Sequence, residues 1–508
     1  MTRLTLFLSL FLFSVCGFSQ KNYWVFFEKR DFEKKEVVSA KTLENRILLN
    51  LEILQESDYG PSDSDLKKLR EANIKIRNVS RWLNAASVEI DDLKQLEFLS
   101  LAPGIAKIKA FTGDFFYANH KKTTEDWYIS FALGQMNAPA FLDHRLNGGG
   151  VSIGVIDGGF LNANSDKTLT HIFKNKQIKS VKDFYFPDKK DFYGEKKSDQ
   201  EFHGTAVMSF IGGVDFERKL QIGMAPAADF YLARTESSTR ESRVEEDNWL
   251  AAVEWLDSLG VRLVNSSLGY AQGFTNPAEN YQPEQMDGQT SVIAQAAKIA
   301  AEKKGMILVL SAGNEGENKP WGGYVSTPGD VENAISVGAN DQNGLKMNYS
   351  SKGREDVKFL KPDLTAFSEF GTSFAAPLIT GFVACLLQKN PAFKLPEIKS
   401  ILSLSGDYAQ VPNNFIGSGF PKADLVLKLL SGETTELKIE NKEASKYFVL
   451  KIKKGDKIAI FHKKDQRNVV SQEFREGTDS KIKIKRPTNV FFSTINHNGK
   501  IYEVRWKD

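Results

Sequence analysis

Cysteine is almost missing from this chain of 508 residues, which has only Cys16 and Cys385. Two thiols cannot build a disulfide framework, and without a Cys/His cluster the usual zinc patterns are excluded. Strong charge of one sign is missing too: the net charge is +3, so nothing demands nucleic acid or an acidic membrane as partner. The only long apolar run outside the folded pattern, residues 4–15, falls short of the roughly 20 residues a bilayer span needs. There is no internal repeat or low-complexity tract. What remains is ordinary for a soluble globular protein, with 26% charged and 41% hydrophobic residues. The length exceeds one small domain and can bury a large core.

The N-terminus carries an address. Arg3 precedes a run rich in Leu and Phe, and Gly17-Phe18-Ser19 puts small residues at the two positions that define cleavage, so residues 1–19 read as a signal peptide cut before Gln20. A lipid anchor on Cys16 is the lesser reading, because Val15 fits its small-residue requirement poorly. Cleavage leaves Cys385 as a lone thiol inside an apolar helix, where cysteines are usually inert packing.

Residues 21–108 read as a small α+β unit, with strands at 23–27, 86–90 and 105–108 and helices at 42–49 and 91–101. Its place behind a signal peptide favours a pro-segment, extending from residue 20 to 126 with a polar, aromatic linker and cleavage zone at 114–126. From residue 127 buried strands alternate with helices. The runs 151–156, 229–233, 261–265, 306–310 and 334–337 are nearly all apolar, as parallel strands covered on both faces require. This βαβ rhythm predicts an α/β fold, a doubly wound parallel sheet with helices on both faces, over 127–430. Its ligands bind at the carboxyl ends of the strands. Residues 434–508 read as a small β domain with strands at 447–452, 457–461, 481–484 and 490–493, and its lysines as charged edges.

Several short stretches could carry chemistry. Gly371-Thr372-Ser373-Phe374-Ala375-Ala376-Pro377 opens the apolar helix of residues 378–387. Gly371 permits a sharp bend that lifts the Ser373 hydroxyl onto the positive end of a helix dipole. Pro377 is expected in the first turn, where its missing N–H costs nothing. A hydroxyl needs a base and a carboxylate to become a nucleophile. Asp157, followed by Gly158 and Gly159, ends the first buried strand, and His203 begins His203-Gly204-Thr205 at a helix start. Ser267-Leu268-Gly269 leaves a buried strand and offers a peptide an edge to pair with. Ser311-Ala312-Gly313-Asn314-Glu315 leaves the next, and there the Asn314 amide could join the Ser373 N–H in an oxyanion hole. Each stretch alone has a bland explanation as a cap, a turn or a strand exit.

Together, in the order Asp, His, Asn, Ser, they resemble the signature blocks of the subtilisin-like serine proteases. Gly223-Met224-Ala225-Pro226, Lys361-Pro362-Asp363 and Gly417-Ser418-Gly419 resemble further landmarks of that family. The resemblance covers residues 127–430. It implies a secreted serine endopeptidase made as a zymogen, with Asp157, His203 and Ser373 as catalytic triad, an acyl-enzyme on Ser373 and Asn314 in the oxyanion hole. Ser267, Leu268, Gly269, Gly313 and Glu315 would bind substrate. It also implies protein or peptide substrates and the chain's own pro-segment as inhibitor. No cofactor or metal is needed for the chemistry. Calcium is common in the family, and the loop 188–199 carries carboxylates without EF-hand spacing, so a structural calcium stays open. The closing stretch 491–506 loosely resembles sorting domains of type IX secretion.

Three departures stand out. Gly158 replaces the usual Ser or Thr, Phe374 replaces the usual Met, and only Phe367-Ser368-Glu369-Phe370 separates Ala366 from Gly371 where relatives carry a longer loop. The alternative they leave is a binding protein on the same fold, crippled by that short loop.

Overall fold

The computed structural model describes residues 21–34, 37–110, 126–194, 199–236, 242–434 and 439–507. The signal-peptide reading, the lipid-anchor reading at Cys16 and most of the linker therefore lie outside the described residues. The chain divides into two units: one holds residues up to 32 and 60–111, the other residues 33–59 and everything from 112.

The first unit is a four-stranded antiparallel sheet in the order Lys75–Ser80, Ala85–Ile90, Lys21–Phe27, Ile105–Ala110. Its helices, Asp63–Glu71 and Leu93–Leu101, complete a β-α-β-β-α-β order. Ser62 and Asp92 cap them by accepting the Asp65 and Gln95 N–H. Tyr23, Val25, Phe27, Val88 and Ile90 meet Leu66, Leu69 and Leu99 in one small core. The helix at 63–71 and the strand at 75–80 escaped the sequence reading, because both are rich in charged and polar residues.

The second unit is built on seven parallel strands. From edge to edge they are Leu364–Phe367, Ile335–Asn340, Ile307–Ser311, Leu263–Ser266, Ser152–Asp157, Asp229–Arg234 and Ile178–Asp183. The edge strands 364–367 and 178–183 were not predicted: one is very short, the other half charged. Alternation along Ser152–Asp157 covers both faces. Ile153 and Val155 join the core around Phe382 and Val383, while a Cβ on Gly154 would stand 2.6 Å from Leu256 of the helix Val244–Ser258. The order of strands reverses beside Ser152–Asp157, which opens a crevice at the carboxyl ends, the place where such sheets bind ligands.

The helix after the short loop is longer than predicted, Thr372–Lys389. Among the described residues it alone is long and apolar enough to cross a membrane, and it is buried in the core instead. Pro377 does not lie in its first turn. It sits where its N–H would have bonded the Ser373 carbonyl, and the Ser267 hydroxyl donates to that carbonyl at 2.9 Å.

The C-terminal strands form a five-stranded sheet, Ile439–Ala444, Lys500–Trp506, Phe492–His497, Lys457–Lys463 and Val469–Glu476, with a separate pair Tyr447–Lys451 and Lys481–Lys485. One face is not solvated. Phe461, Val469 and Ile501 share a core with Leu345, Tyr408 and Ile416, and the Tyr408 and Phe461 rings meet edge to face at 5.4 Å.

Candidate active site

Asp157 ends the central strand fully buried, and His203 starts the helix His203–Gly212. The Nδ1–H of His203 donates to Asp157 Oδ1 at 2.8 Å, which leaves Nε2 as the acceptor. Close approach of the two elements is sterically specified: a Cβ on Gly204 would stand 2.5 Å from the Gly159 carbonyl and 3.0 Å from the Asp157 Cβ. Gly158 follows Asp157 directly. Its N–H donates to Asp157 Oδ1 at 2.8 Å, while Oδ2 is buried with no hydrogen-bond partner among the described residues. Burial opposes charge on His203, but the Asp157 carboxylate, its hydrogen bond and the Glu236 carboxylate outweigh it and raise the imidazole pKa above its ordinary value.

Ser373 stands second in its helix, after Gly371, whose φ of 134° is open only to glycine. Its hydroxyl donates to the Ser267 carbonyl at 3.2 Å. Asn265 Nδ2 donates to Ser267 Oγ at 3.0 Å, and Thr380 Oγ1 donates to Asn265 Oδ1 at 2.8 Å. The helix start and the strand exit are thus tied by a continuous chain of buried hydrogen bonds. Asn314 is oriented by its carbonyl oxygen, which accepts from Thr372 N at 3.0 Å and Thr372 Oγ1 at 3.1 Å. Among the described residues its NH₂ group makes no hydrogen bond, while its carbonyl oxygen is held by the residue before Ser373.

Phe374 lies between His203 and Phe210, with ring centroids 5.5 and 5.3 Å away, so the bulkier side chain packs against the imidazole without displacing it. The short loop is braced by two phenols. Tyr349 donates to Ser368 O at 2.6 Å and accepts the Gly371 N–H at 3.0 Å, while Tyr128 donates to Ser368 Oγ at 3.2 Å. Ser368 Oγ donates in turn to Gly371 O at 2.7 Å.

Of the expected substrate-binding residues, Leu268 is buried, and the Glu315 carboxylate accepts from Asn318 Nδ2 at 2.7 Å. Gly269 and Gly313 both face Ser326. A Cβ on Gly269 would collide with Ser326 Oγ, and one on Gly313 would come within 2.7 Å of it. Ser326 Oγ is buried with no hydrogen-bond partner among the described residues. Sequence reasoning missed this residue, since nothing local marks a serine between Val325 and Thr327. Among the described residues no three His, Cys, Asp or Glu side chains converge to hold a metal ion. The loop considered for calcium includes residues 195–198, which lie outside the described residues.

The model of the subtilase family matches residues 148–419, and that of the peptidase S8 propeptide domain of Bacteroidota matches residues 22–125. The chain is 25% identical over 382 residues to an alkaline protease of Shouchella clausii, covering 73% of this chain and 87% of that protein. It is 27% identical over 305 residues to subtilisin Savinase of Lederbergia lenta, covering 58% and 97%. The crystal structure of the epidermin leader peptide processing serine protease of Staphylococcus aureus shares the fold, with a TM-score of 0.54 at 15% identity over 82% of this chain and all of that one. An Asp-His pair at a strand end, a serine at a glycine-led helix start and these matches have one common account: the chain belongs to the subtilase family and is a serine-type endopeptidase.

Proposed function

We propose that this chain is an exported endopeptidase, made as a zymogen, that cleaves peptide bonds through an acyl-enzyme on Ser373. The observation that carries the reading is the 2.8 Å bond from His203 to buried Asp157, because it sets the tautomer that a general base requires. The Ser373 hydroxyl turns from the Ser267 carbonyl to His203 Nε2, gives up its proton and attacks the scissile carbonyl. His203 returns that proton to the leaving amine, and water then cleaves the acyl-enzyme by the same route. Asp157 holds the ring and stabilises its cation. The Asn314 amide and the Ser373 N–H receive the oxyanion. Substrate backbone runs beside Ser267, Leu268 and Gly269, and one side chain enters the slot between Gly269 and Gly313 in front of Glu315. No metal takes part in these steps.

Export rests on residues 1–19, and zymogen control on the propeptide match over 22–125. The phenol brace on the short loop argues against a crippled scaffold, since Gly371 and Ser373 keep their places without the longer loop. The test uses the chain without residues 1–19, wild type beside Ser373→Ala, treated with a serine-directed fluorophosphonate while chain masses are followed. Label on the wild type alone, with loss of an N-terminal fragment of about 100 residues, is expected from the propeptide match. A folded, pro-segment-free protein that takes no label would overturn the catalytic assignment.

A further inference from the structure

Residues 33–59 leave the N-terminal sheet unit and belong to the body of the peptidase. The helix Ala40–Leu48 and the short turn Glu56–Asp58 lie at the carboxyl ends of the peptidase helices Val244–Ser258 and Val292–Glu302. Helix ends leave carbonyls without intrahelical donors. Here carbonyls at and just beyond those ends receive side chains from the visiting segment. Thr42 Oγ1 donates to Asp257 O at 2.7 Å, Asn45 Nδ2 to Gly260 O at 2.8 Å, and Gln55 Nε2 to Lys303 O. The fit is close at both ends: a Cβ on Gly260 would stand 2.5 Å from Lys41 Cγ, and one on Gly305 2.6 Å from Leu49 Cδ1.

At the centre is a cluster of four buried charges that sum to zero. Arg46 grips Asp58 with both terminal guanidinium nitrogens, at 2.6 and 2.9 Å. Lys304 Nζ reaches Asp58 Oδ1 at 2.6 Å, and Arg46 lies 3.7 Å from Asp257. Thr42, Asn45 and Arg46 share one helical face by their spacing. Burial works against the Asp58 charge, but Arg46 and Lys304 outweigh it and hold its pKa down to about 2, so Asp58 stays ionised. Such a cluster is costly to leave half-made, because removing one partner strands a buried charge.

We propose that residues 37–59 are a docking clip that keeps the severed pro-segment on the peptidase once the chain has been cut between them, with Asp58 and Lys304 as its central contact across the cut. The proposal rests on the zymogen reading, so the test makes the cut from outside. The full chain carries Ser373→Ala and a recognition site for a separate, highly specific endopeptidase within residues 111–125. After nicking, the rate at which the N-terminal fragment leaves is followed by size-exclusion chromatography and by surface plasmon resonance on immobilised peptidase.

Asp58→Asn and Lys304→Met should each speed release at least 100-fold. The double variant should release no faster than the quicker single one, since both remove one shared contact. Release as slow as the parent's, or losses that multiply in the double variant, would overturn the clip. Asn45→Ala, which removes only one carbonyl cap, should speed release several-fold with an unchanged circular dichroism spectrum; if the charge variants do not fold, its failure to do so overturns the clip instead. A Ser373 parent that takes no fluorophosphonate would count against the catalytic reading and leave the release rates to decide the clip.

Discussion

Pro377 stands four residues after Ser373, at the one place in their helix from which a backbone N–H would claim the Ser373 carbonyl, and it has none to give. The Ser267 hydroxyl fills that vacancy at 2.9 Å. Ser267→Ala should therefore strand a buried acceptor and lower stability by about 1–3 kcal/mol. Adding Pro377→Ala supplies the missing N–H, and the double variant should regain most of that loss in thermal unfolding. A double variant as unstable as Ser267→Ala alone would show that the carbonyl is not the link.

Asn314→Leu keeps the side-chain volume and removes the free amide donor. Turnover should fall about 10²–10³-fold with little change in KM, a loss already known for a subtilisin. Steady-state kinetics on a chromogenic peptide reads it. A change confined to KM would move Asn314 from the oxyanion to ground-state binding.

The base must be neutral to act, and the Asp157 and Glu236 carboxylates favour its cation. The acidic limb of the kcat/KM profile should accordingly lie above the ordinary histidine value of about 6.5. Glu236→Gln removes one of the two negative charges, so His203 should release its proton more readily and the limb should move to lower pH. A limb that stays in place would exclude Glu236 as a source of the raised value.

The Ser326 hydroxyl, with no hydrogen-bond partner among the described residues, stands at the floor of the slot proposed between Gly269 and Gly313. Ser326→Gly should deepen the slot and shift preference toward larger side chains at the cleaved residue. One methylene in such a pocket is worth roughly 10–200-fold. Ser326→Val should do the reverse. A panel of peptides differing only at that residue measures both, and identical rankings for all three proteins would mean that the slot does not read the substrate.

Gly158 has room for a side chain: its φ is not positive, and a Cβ would meet only the Glu236 Cβ, at 3.8 Å. Gly158→Ser should fold with a stability change within about 0.5 kcal/mol. Its hydroxyl adds a donor beside the Asp157 carboxylate, whose Oδ2 has no hydrogen-bond partner among the described residues. Calorimetry beside a pH profile of kcat/KM checks both, and a marked fall in melting temperature would show that glycine is needed there.

The parts legible in the sequence are those whose physics is local. Val155 and Leu308 sit in runs buried on both faces, so apolarity alone marks their strands. Asp157, His203, Asn314 and Ser373 each sit beside small residues that the close approach of elements requires, and those neighbours make them visible. The strands 178–183 and 469–476 were missed because an edge strand needs little apolar surface. Pro377 was misplaced because the helix begins five residues before it, a boundary set by Gly371 and by Thr372 bonding to Asn314. Ser326, Tyr349 and Lys304 stayed silent for a different reason. Each acquires its role only through residues brought beside it from elsewhere in the chain, as Lys304 does from Asp58, 246 residues away.

The last strand of the C-terminal sheet is not at its edge. Lys500–Trp506 lies between Ile439–Ala444 and Phe492–His497, parallel to one and antiparallel to the other. During synthesis the strand at 439–444 emerges some sixty residues ahead of the neighbour it needs, with one row of backbone donors and acceptors waiting unpaired. The sheet cannot close, nor add Ile501 to the core of Tyr408 and Ile416, until residues 500–506 have left the ribosome. Completion of this sheet is therefore timed by the strand made last of its five: a nascent peptidase lacking that strand keeps an open flank, however early its seven parallel strands have assembled.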